Sequence, residues 1–375
     1  MVKTPQFFNI KAKQRRSKPG EVPGTFVITE NALASKIVVY AYHETHIKEL
    51  ETLHINEALE FIKEHPNNFY WIDIKGLGSQ EVLNQVKQHY NINSLVMEDI
   101  VNTYQRPKCD DYDDYLFITS RMLELDSGLV MRNEQLSFLV FKDTLITFQE
   151  DYQDVLEPVR VRLKTKAGGN LRYLGPSYLL YALMDTVIDH YFTIVNRLGD
   201  ELEIVEEHLY QRPHKLLMYR ILGVKKIMIA MRRAAWPERD KLIEILKKPS
   251  NIIHPEVTVF FKDAYDHSVQ IIDLIESYKE TSISLMDVYL SLMSNKMNEV
   301  MKFLTIISSL FIPLTFIVGV YGMNFSYQDP KTGEILPYNM PELYMPNGYI
   351  IVCVVMLLIV IGQLWYFGKK GWFKD

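Results

Sequence analysis

The sequence predicts an α/β cytoplasmic domain followed by long helices and two C-terminal transmembrane helices. Three observations predict it. Strand-like and helix-like runs alternate over residues 21–165. From about Ser177 onward the apolar residues recur only at helical spacing. Two uncharged apolar runs then close the chain, eighteen residues at 303–320 and nineteen at 349–367. At 1.5 Å of rise per residue each run spans about 27–29 Å, close to the hydrocarbon core of a bilayer.

Composition narrows the field. A chain of 375 residues has room for two or three domains, at roughly 150 residues each. With 23% charged and 12% aromatic residues, it is not globally disordered. A net charge of −5 argues against a dedicated nucleic-acid binder. Cys109 and Cys353 can supply neither a disulfide framework nor a four-thiolate zinc site. Residues 1–20 carry Lys3, Lys11, Lys13, Arg15, Arg16 and Lys18, with no acid before Glu21. No apolar core follows, so this stretch reads as a solvated basic tail rather than a signal peptide.

Within 21–165, residues 69–74 and 115–121 read as strands, and 137–141 with 145–148 as a hairpin around Lys142-Asp143-Thr144. Residues 55–65 and 79–89 have helical spacing. Gly76-Leu77-Gly78 lacks the third glycine or the Lys-Ser/Thr of a phosphate loop and reads as a plain turn. His43 and His46 have the spacing of ligands on a helix face, but no third ligand is in register, so they read as surface histidines. Over 166–254 two long antiparallel helices are expected. The first carries an apolar stripe at Leu183, Val187, Tyr191, Ile194, Leu198, Leu202, Val205 and Leu209 beside an acidic face. The second, after Pro213, is rich in bases. Over 255–324 no glycine or proline interrupts the chain between Pro255 and Pro313. One stalk helix is therefore expected to continue into the first span, about 98 Å in all. Such a rod needs lateral partners in water.

Lysines set the orientation. Lys296 and Lys302 precede the first span, and Lys369, Lys370 and Lys374 follow the second (349–368) in a basic terminus at 369–375. The loop at 325–348 carries Asp329, Glu334 and Glu342 against Lys331 alone. The bias predicts a multi-pass protein of the cell membrane with both termini cytoplasmic and the loop outside.

One face of the long helix presents Asp287, Leu290, Ser294, Asn298, Met301, Leu304, Ser308, Ile312, Thr315, Gly319 and Met323, in steps of three and four. Met301 and Leu304 suit an ordinary coiled-coil seam; Asp287 and Asn298 suit it poorly. The span runs into Tyr321-Gly322-Met323-Asn324. Taken alone, Asn324 reads equally well as a helix C-cap.

YGMNF at 321–325 and MPEL at 340–343 are accompanied by FIPLTFIVGVYGMNF at 311–325, DVYLSLMSNKMNEVMKFLTII at 287–307, YDHSVQI at 265–271 and EDIVNTYQRPK at 98–108. On these segments the chain, from about residue 70 onward, resembles the CorA family of magnesium/cobalt channels. The resemblance implies a funnel-shaped homopentameric channel for Mg²⁺, and for Co²⁺ and Ni²⁺ with it, regulated by cytoplasmic Mg²⁺. It implies a selectivity filter at Gly322, Met323 and Asn324. Thr315, Gly319, Ser308, Ile312, Asn298 and Asp287 become pore-lining positions, and Met301 and Leu304 a hydrophobic gate. Asp99 and Asp263 match an intersubunit metal pair, with Glu98 and Asp185 as a second, weaker site. One departure is the stretch 326–339 between YGMNF and MPEL, where many members have almost nothing.

The chemistry suits the roles. Mg²⁺ holds its waters tightly and prefers octahedral oxygen. A ring of amide and carbonyl oxygens can hold the hydrated ion without the trap a carboxylate ring would make. No ATP-binding motif or catalytic triad is visible, so no enzyme is expected. A dication crossing 100 mV, inside negative, gains about 4.6 kcal/mol, which suffices for uptake. Two rivals remain at this stage: a transporter of Zn²⁺ or another divalent ion on the same fold, disfavoured by the unaltered Met323, and a non-conducting membrane-anchored sensor, disfavoured by Thr315 and Asn324 in an uncharged span.

Overall fold

The computed structural model describes residues 23–28, 31–165, 169–247 and 250–373; the basic tail expected at 1–20 and Lys374 lie outside the described residues. The chain divides into two compact units between Asp287 and Val288.

The first unit is built on a seven-stranded mixed sheet in the order β2-β1-β3-β7-β6-β5-β4. Its strands are β1 (Lys36–Tyr42), β2 (Ile47–Thr52), β3 (Phe69–Lys75), β4 (Lys108–Asp111), β5 (Leu116–Leu125), β6 (Met131–Val140) and β7 (Thr144–Gln149). Only β3 and β7 pair in parallel; the remaining pairs are antiparallel. The period of two sorts the strand residues onto two faces. Ile37, Val39, Ile72, Ile74, Ile146 and Phe148 point into one core with α1 (Ile55–Glu64), α2 (Gln80–His89) and α3 (Ser94–Val101). Ser79 caps α2 by accepting from Val82 N. Gly76, at φ +80°, makes the turn out of β3; a Cβ there would stand 2.3 Å from Ala34 O.

The other face of the sheet is polar at its centre. Buried Asp73 accepts from Thr147 Oγ1 at 2.7 Å, Gln149 Nε2 at 2.7 Å and Arg160 Nη2 at 2.8 Å. Arg160 belongs to α4 (Glu157–Lys164) and also binds Asp154. After the short α5 (Gly169–Tyr173) come α6 (Gly175–Gln211) and α7 (Lys215–Lys247). All eight residues of the apolar stripe expected on the first long helix are buried on α6. Arg220 of α7 pairs with Glu201 of α6. A buried pair anchors α7 to the sheet: Glu238, bonded to Lys241, accepts from Arg121 N at 2.9 Å, and Lys241 donates to Ser120 Oγ at 2.5 Å. Gly199 of α6 lets Tyr278 of the next helix approach so closely that a Cβ would meet its ring at 2.7 Å.

That next helix, α8, runs unbroken over Thr258–Tyr321, sixty-four residues, after a short 3₁₀ turn at Pro255–Val257. The stalk expected from Pro255 is thus helical from Thr258, and α8 contributes to both units. The second unit adds a loop and α9 (Gly348–Lys369). Both apolar runs are helices long and apolar enough to cross a membrane. The inserted stretch is a small hairpin: Gln328 bridges Ile335, Leu336 N donates to Tyr327 O at 2.8 Å, and Asn339 Nδ2 to Ser326 O at 2.9 Å.

His43 and His46 are exposed, as surface histidines should be, and they do not lie on a helix. They sit in the β1–β2 turn, closed by His43 N donating to His46 O at 2.9 Å.

Candidate ion pathway and metal centre

All eleven residues of the polar-studded stripe, from Asp287 to Met323, are exposed in the single chain. The less exposed positions of the span, Ile306, Ser309, Leu310, Pro313, Leu314 and Ile317, lie on the other face. Pro313 has no N–H, so the carbonyl four residues before it, Ser309 O, loses its helix partner. Gln363 Nε2 of α9 donates to that same oxygen at 2.9 Å. A freed backbone acceptor inside the span is thereby satisfied by the other span. Thr315 Oγ1 donates to Phe311 O at 2.8 Å, which leaves its oxygen lone pairs on the exposed face.

The helix closes with Gly322 N donating to Val318 O at 2.9 Å and Met323 N to Val320 O at 3.1 Å. Asn324 follows, exposed. It has no positive φ, so it is not the left-handed residue that commonly ends a helix. The cap reading of Asn324 loses its geometric support.

The acidic candidates fall into two groups. On α3, Asp99 accepts from Gln105 Nε2 at 2.7 Å and from Lys108 Nζ at 2.8 Å, and Glu98 accepts from Gly24 N at 2.7 Å. Burial pulls the Lys108 ammonium down, but hydrogen bonds to Asp110 and Asp99 outweigh it and leave its pKa raised. Asp185, on α6, faces α8. Burial first, and then the charge of Asp189, push its carboxyl up to about 6. Tyr181 OH donates to its Oδ2 at 3.2 Å. His267 Nδ1 of α8 lies 3.8 Å from Asp185 Oδ1 and 3.7 Å from Asp189 Oδ1. Asp263 is exposed, one turn before His267, and its charge adds to the rise at Asp185. Among the described residues no hydrogen bond or ion pair joins Asp99 to Asp263, or Glu98 to Asp185. Sequence reasoning overlooked Asp189, His267, Lys108 and Gln363. The i,i+4 spacing of Asp185 and Asp189 was the one available signal; the others depend on which helices meet.

The fold and these sites define a class: a membrane protein that joins a soluble α/β domain to two candidate C-terminal spans, with Gly-Met-Asn at the end of the first. The sequence model of the family described as CorA-like Mg2+ transporter protein matches residues 66–370. The chain belongs to that family. It is 36% identical over 365 residues to the cobalt/magnesium transport protein CorA of Thermotoga maritima, covering 97% of this chain and 100% of that protein. It is 33% identical to the putative metal ion transporter YfjQ of Bacillus subtilis, over 85% of this chain and 94% of that one. The complete structure of the CorA magnesium transporter from Methanocaldococcus jannaschii superposes with a TM-score of 0.73, at 23% identity, covering 89% of this chain and 98% of that one. That likeness concerns the fold.

Proposed function

We propose that the chain is one protomer of a homopentameric channel that takes up Mg²⁺, with Co²⁺ and Ni²⁺ admitted too, down the electrochemical gradient. The observation that carries this reading is the exposed stripe of α8 leading to Asn324. In a ring of five copies each stripe faces the axis. Asn324 amides and the carbonyls of Gly322 and Met323 meet the hydrated ion at the outer mouth. Gly319, Thr315, Ile312 and Ser308 line the span. Met301 and Leu304 form a constriction that stops ions by dewetting, and Asn298 and Asp287 lie at its cytoplasmic side. Both termini are cytoplasmic.

Regulation by cytoplasmic Mg²⁺ rests on carboxylate oxygens, the donors this hard ion prefers. Asp99 of one protomer with Asp263 of the next would hold it, with Glu98 and Asp185 as the weaker pair. Asp263 is exposed and open to a ligand, whereas a cation at Asp99 competes with Lys108.

Uptake into liposomes loaded with an Mg²⁺-sensitive dye tests the pathway. Asn324→Ala is expected to lower the flux at least about tenfold, because one hydrogen bond to a charged species is worth about 1.5–3 kcal/mol. Wild-type flux in Asn324→Ala would refute the filter. Asp99→Lys with Asp263→Lys is expected to relieve suppression by millimolar Mg²⁺ on the cytoplasmic side; flux that stays fully suppressed would refute the clamp.

A further inference from the structure

We infer that the C-terminal end of α9 is a docking surface for anionic phospholipid headgroups, gripped by Lys369 and Lys370 at the depth of an aromatic collar of Trp365, Tyr366 and Trp372. It rests on α9 spanning the bilayer and needs nothing from the channel reading.

The chain turns back at the end of this helix. Gly371, at φ +74°, takes the left-handed conformation. Trp372 N donates to Phe367 O at 3.0 Å, and Gly371 N to Gly368 O at 3.1 Å. Those two bonds are the pattern of a Schellman cap. The apolar contact that accompanies such a cap is present too: the Trp372 ring stacks on Phe367, centroids 5.1 Å apart. The cap fixes the helix end, and with it the height of the two lysines just before Gly371.

Side chains on a helix lean toward its N-terminus. Both lysines reach back one turn onto aromatic faces. Lys369 Nζ lies 5.3 Å from the Trp365 ring centre, and Lys370 Nζ 5.6 Å from that of Tyr366. Trp and Tyr at the end of a span sit at headgroup level. Two ammonium groups are thereby held at the depth of lipid phosphates.

Cation–π contact explains their direction but supplies no countercharge. Among the described residues neither lysine pairs with a carboxylate. The sequence offers none nearby, since no Asp or Glu occurs between Glu342 and Asp375. Both lysines, Trp365, Tyr366 and Phe373 are exposed. The negative end of the α9 dipole favours the two charges, yet each exposed ammonium keeps N–H donors for an anion. The surface is thus two unpaired positive charges set among apolar rings. Its complement carries a phosphate at one end and hydrocarbon at the other. Free phosphate matches the charges and not the rings. Gln363 of the same helix holds Ser309 O of α8 at 2.9 Å, so a headgroup bound here bears on the first span as well.

The full chain is reconstituted in phosphatidylcholine bilayers holding a small fraction of brominated phosphatidylglycerol, whose bromines quench neighbouring tryptophans. Brominated phosphatidylcholine at the same fraction is the reference. One lysine near an anionic lipid surface is worth about fivefold in association. Wild type is therefore expected to be quenched as though phosphatidylglycerol were enriched at least about fivefold around it. Lys369→Gln with Lys370→Gln is expected to abolish the enrichment, and Lys369→Arg with Lys370→Arg to keep it. Lys331→Gln, in the loop at the other end of α9, should leave it unchanged. Raising salt on wild type reads the same charges without any substitution and should reduce the enrichment. Equal quenching by the two lipids in wild type overturns the inference, as does full enrichment in the glutamine variant or enrichment indifferent to salt. Displacement by millimolar inorganic phosphate would make the lysines a free-anion site and also overturns it. Enrichment in protein that passes no Mg²⁺ into liposomes supports the headgroup surface and counts against the channel reading alone.

Discussion

Asp154 sits where burial and charge oppose each other. Burial raises its pKa, but hydrogen bonds and charge from Arg160 and Lys75 win and hold the carboxyl at about 2. The ionised form therefore stabilises the fold. That contribution is present above the ordinary aspartate value of 3.8 and is lost as pH falls through about 2. Asp154→Asn is expected to cost about 2–4 kcal/mol at neutral pH, because it removes one partner of a buried guanidinium. In thermal unfolding of the full chain, the gap from wild type should close as pH approaches 2; a gap independent of pH would refute the ion-pair account. The sequence could not reveal this network. Asp73 and Arg160 are 87 positions apart, and only the tertiary fold pairs them. Asn324 could be singled out as a candidate because its neighbours Gly322 and Met323 and the apolar run before it are local in sequence. Lys108 beside Asp99 was hidden, since a carboxylate in a sequence does not announce its counter-ion.

Helices announced themselves better than strands. On α6 one stripe at steps of three and four meets a single buried face, so the period alone marks the element. Strand β1 is buried at six of its seven positions and shows no alternation, and β2 is a mostly exposed edge strand rich in charge. Neither has the half-buried signature that betrays a strand. Helix α3 has only eight residues, too few for a period to stand out. The contact between the two spans makes a sharper test. If Gln363 serves the carbonyl that Pro313 leaves free, the two residues must be coupled. Gln363→Leu alone is expected to destabilise by about 1 kcal/mol, the scale of interhelical hydrogen bonds in membranes. With Pro313→Ala the residue at 313 regains an N–H for Ser309 O, so Gln363→Leu should then cost much less. Thermal unfolding of the four proteins gives the coupling. Strict additivity would show that Gln363 does not replace the missing backbone donor.

For the whole molecule the decisive fact is that α8 leaves its polar-studded face uncovered. Leu290 is 56% exposed, Met301 58%, Leu304 51% and Ile312 66% in the single chain. So long an apolar strip on one helix calls for cover. Lipid can cover the part within the bilayer, but lipid has no use for Ser308, Thr315 or Asn324. In the proposed channel, copies of the chain about an axis would cover the apolar members and give the polar members water. The two environments make opposite predictions for cysteines placed along the span. Cys353→Ser provides the background, and Cys109 can stay, because burial pushes its thiol up to about 12 and thiolate chemistry is suppressed. Cysteines at Ser308, Ile312, Thr315 and Gly319 are expected to react with a water-soluble thiol reagent and to block Mg²⁺ uptake. Cysteines at Ile306, Leu310 and Ile317, on the half-buried face, are expected to do neither. The reactive positions then repeat every three or four residues, as one water-lined helix face requires. Reactivity on the half-buried face instead, or none at any position, would reduce the first span to an anchor and leave the polar residues of its stripe without a purpose.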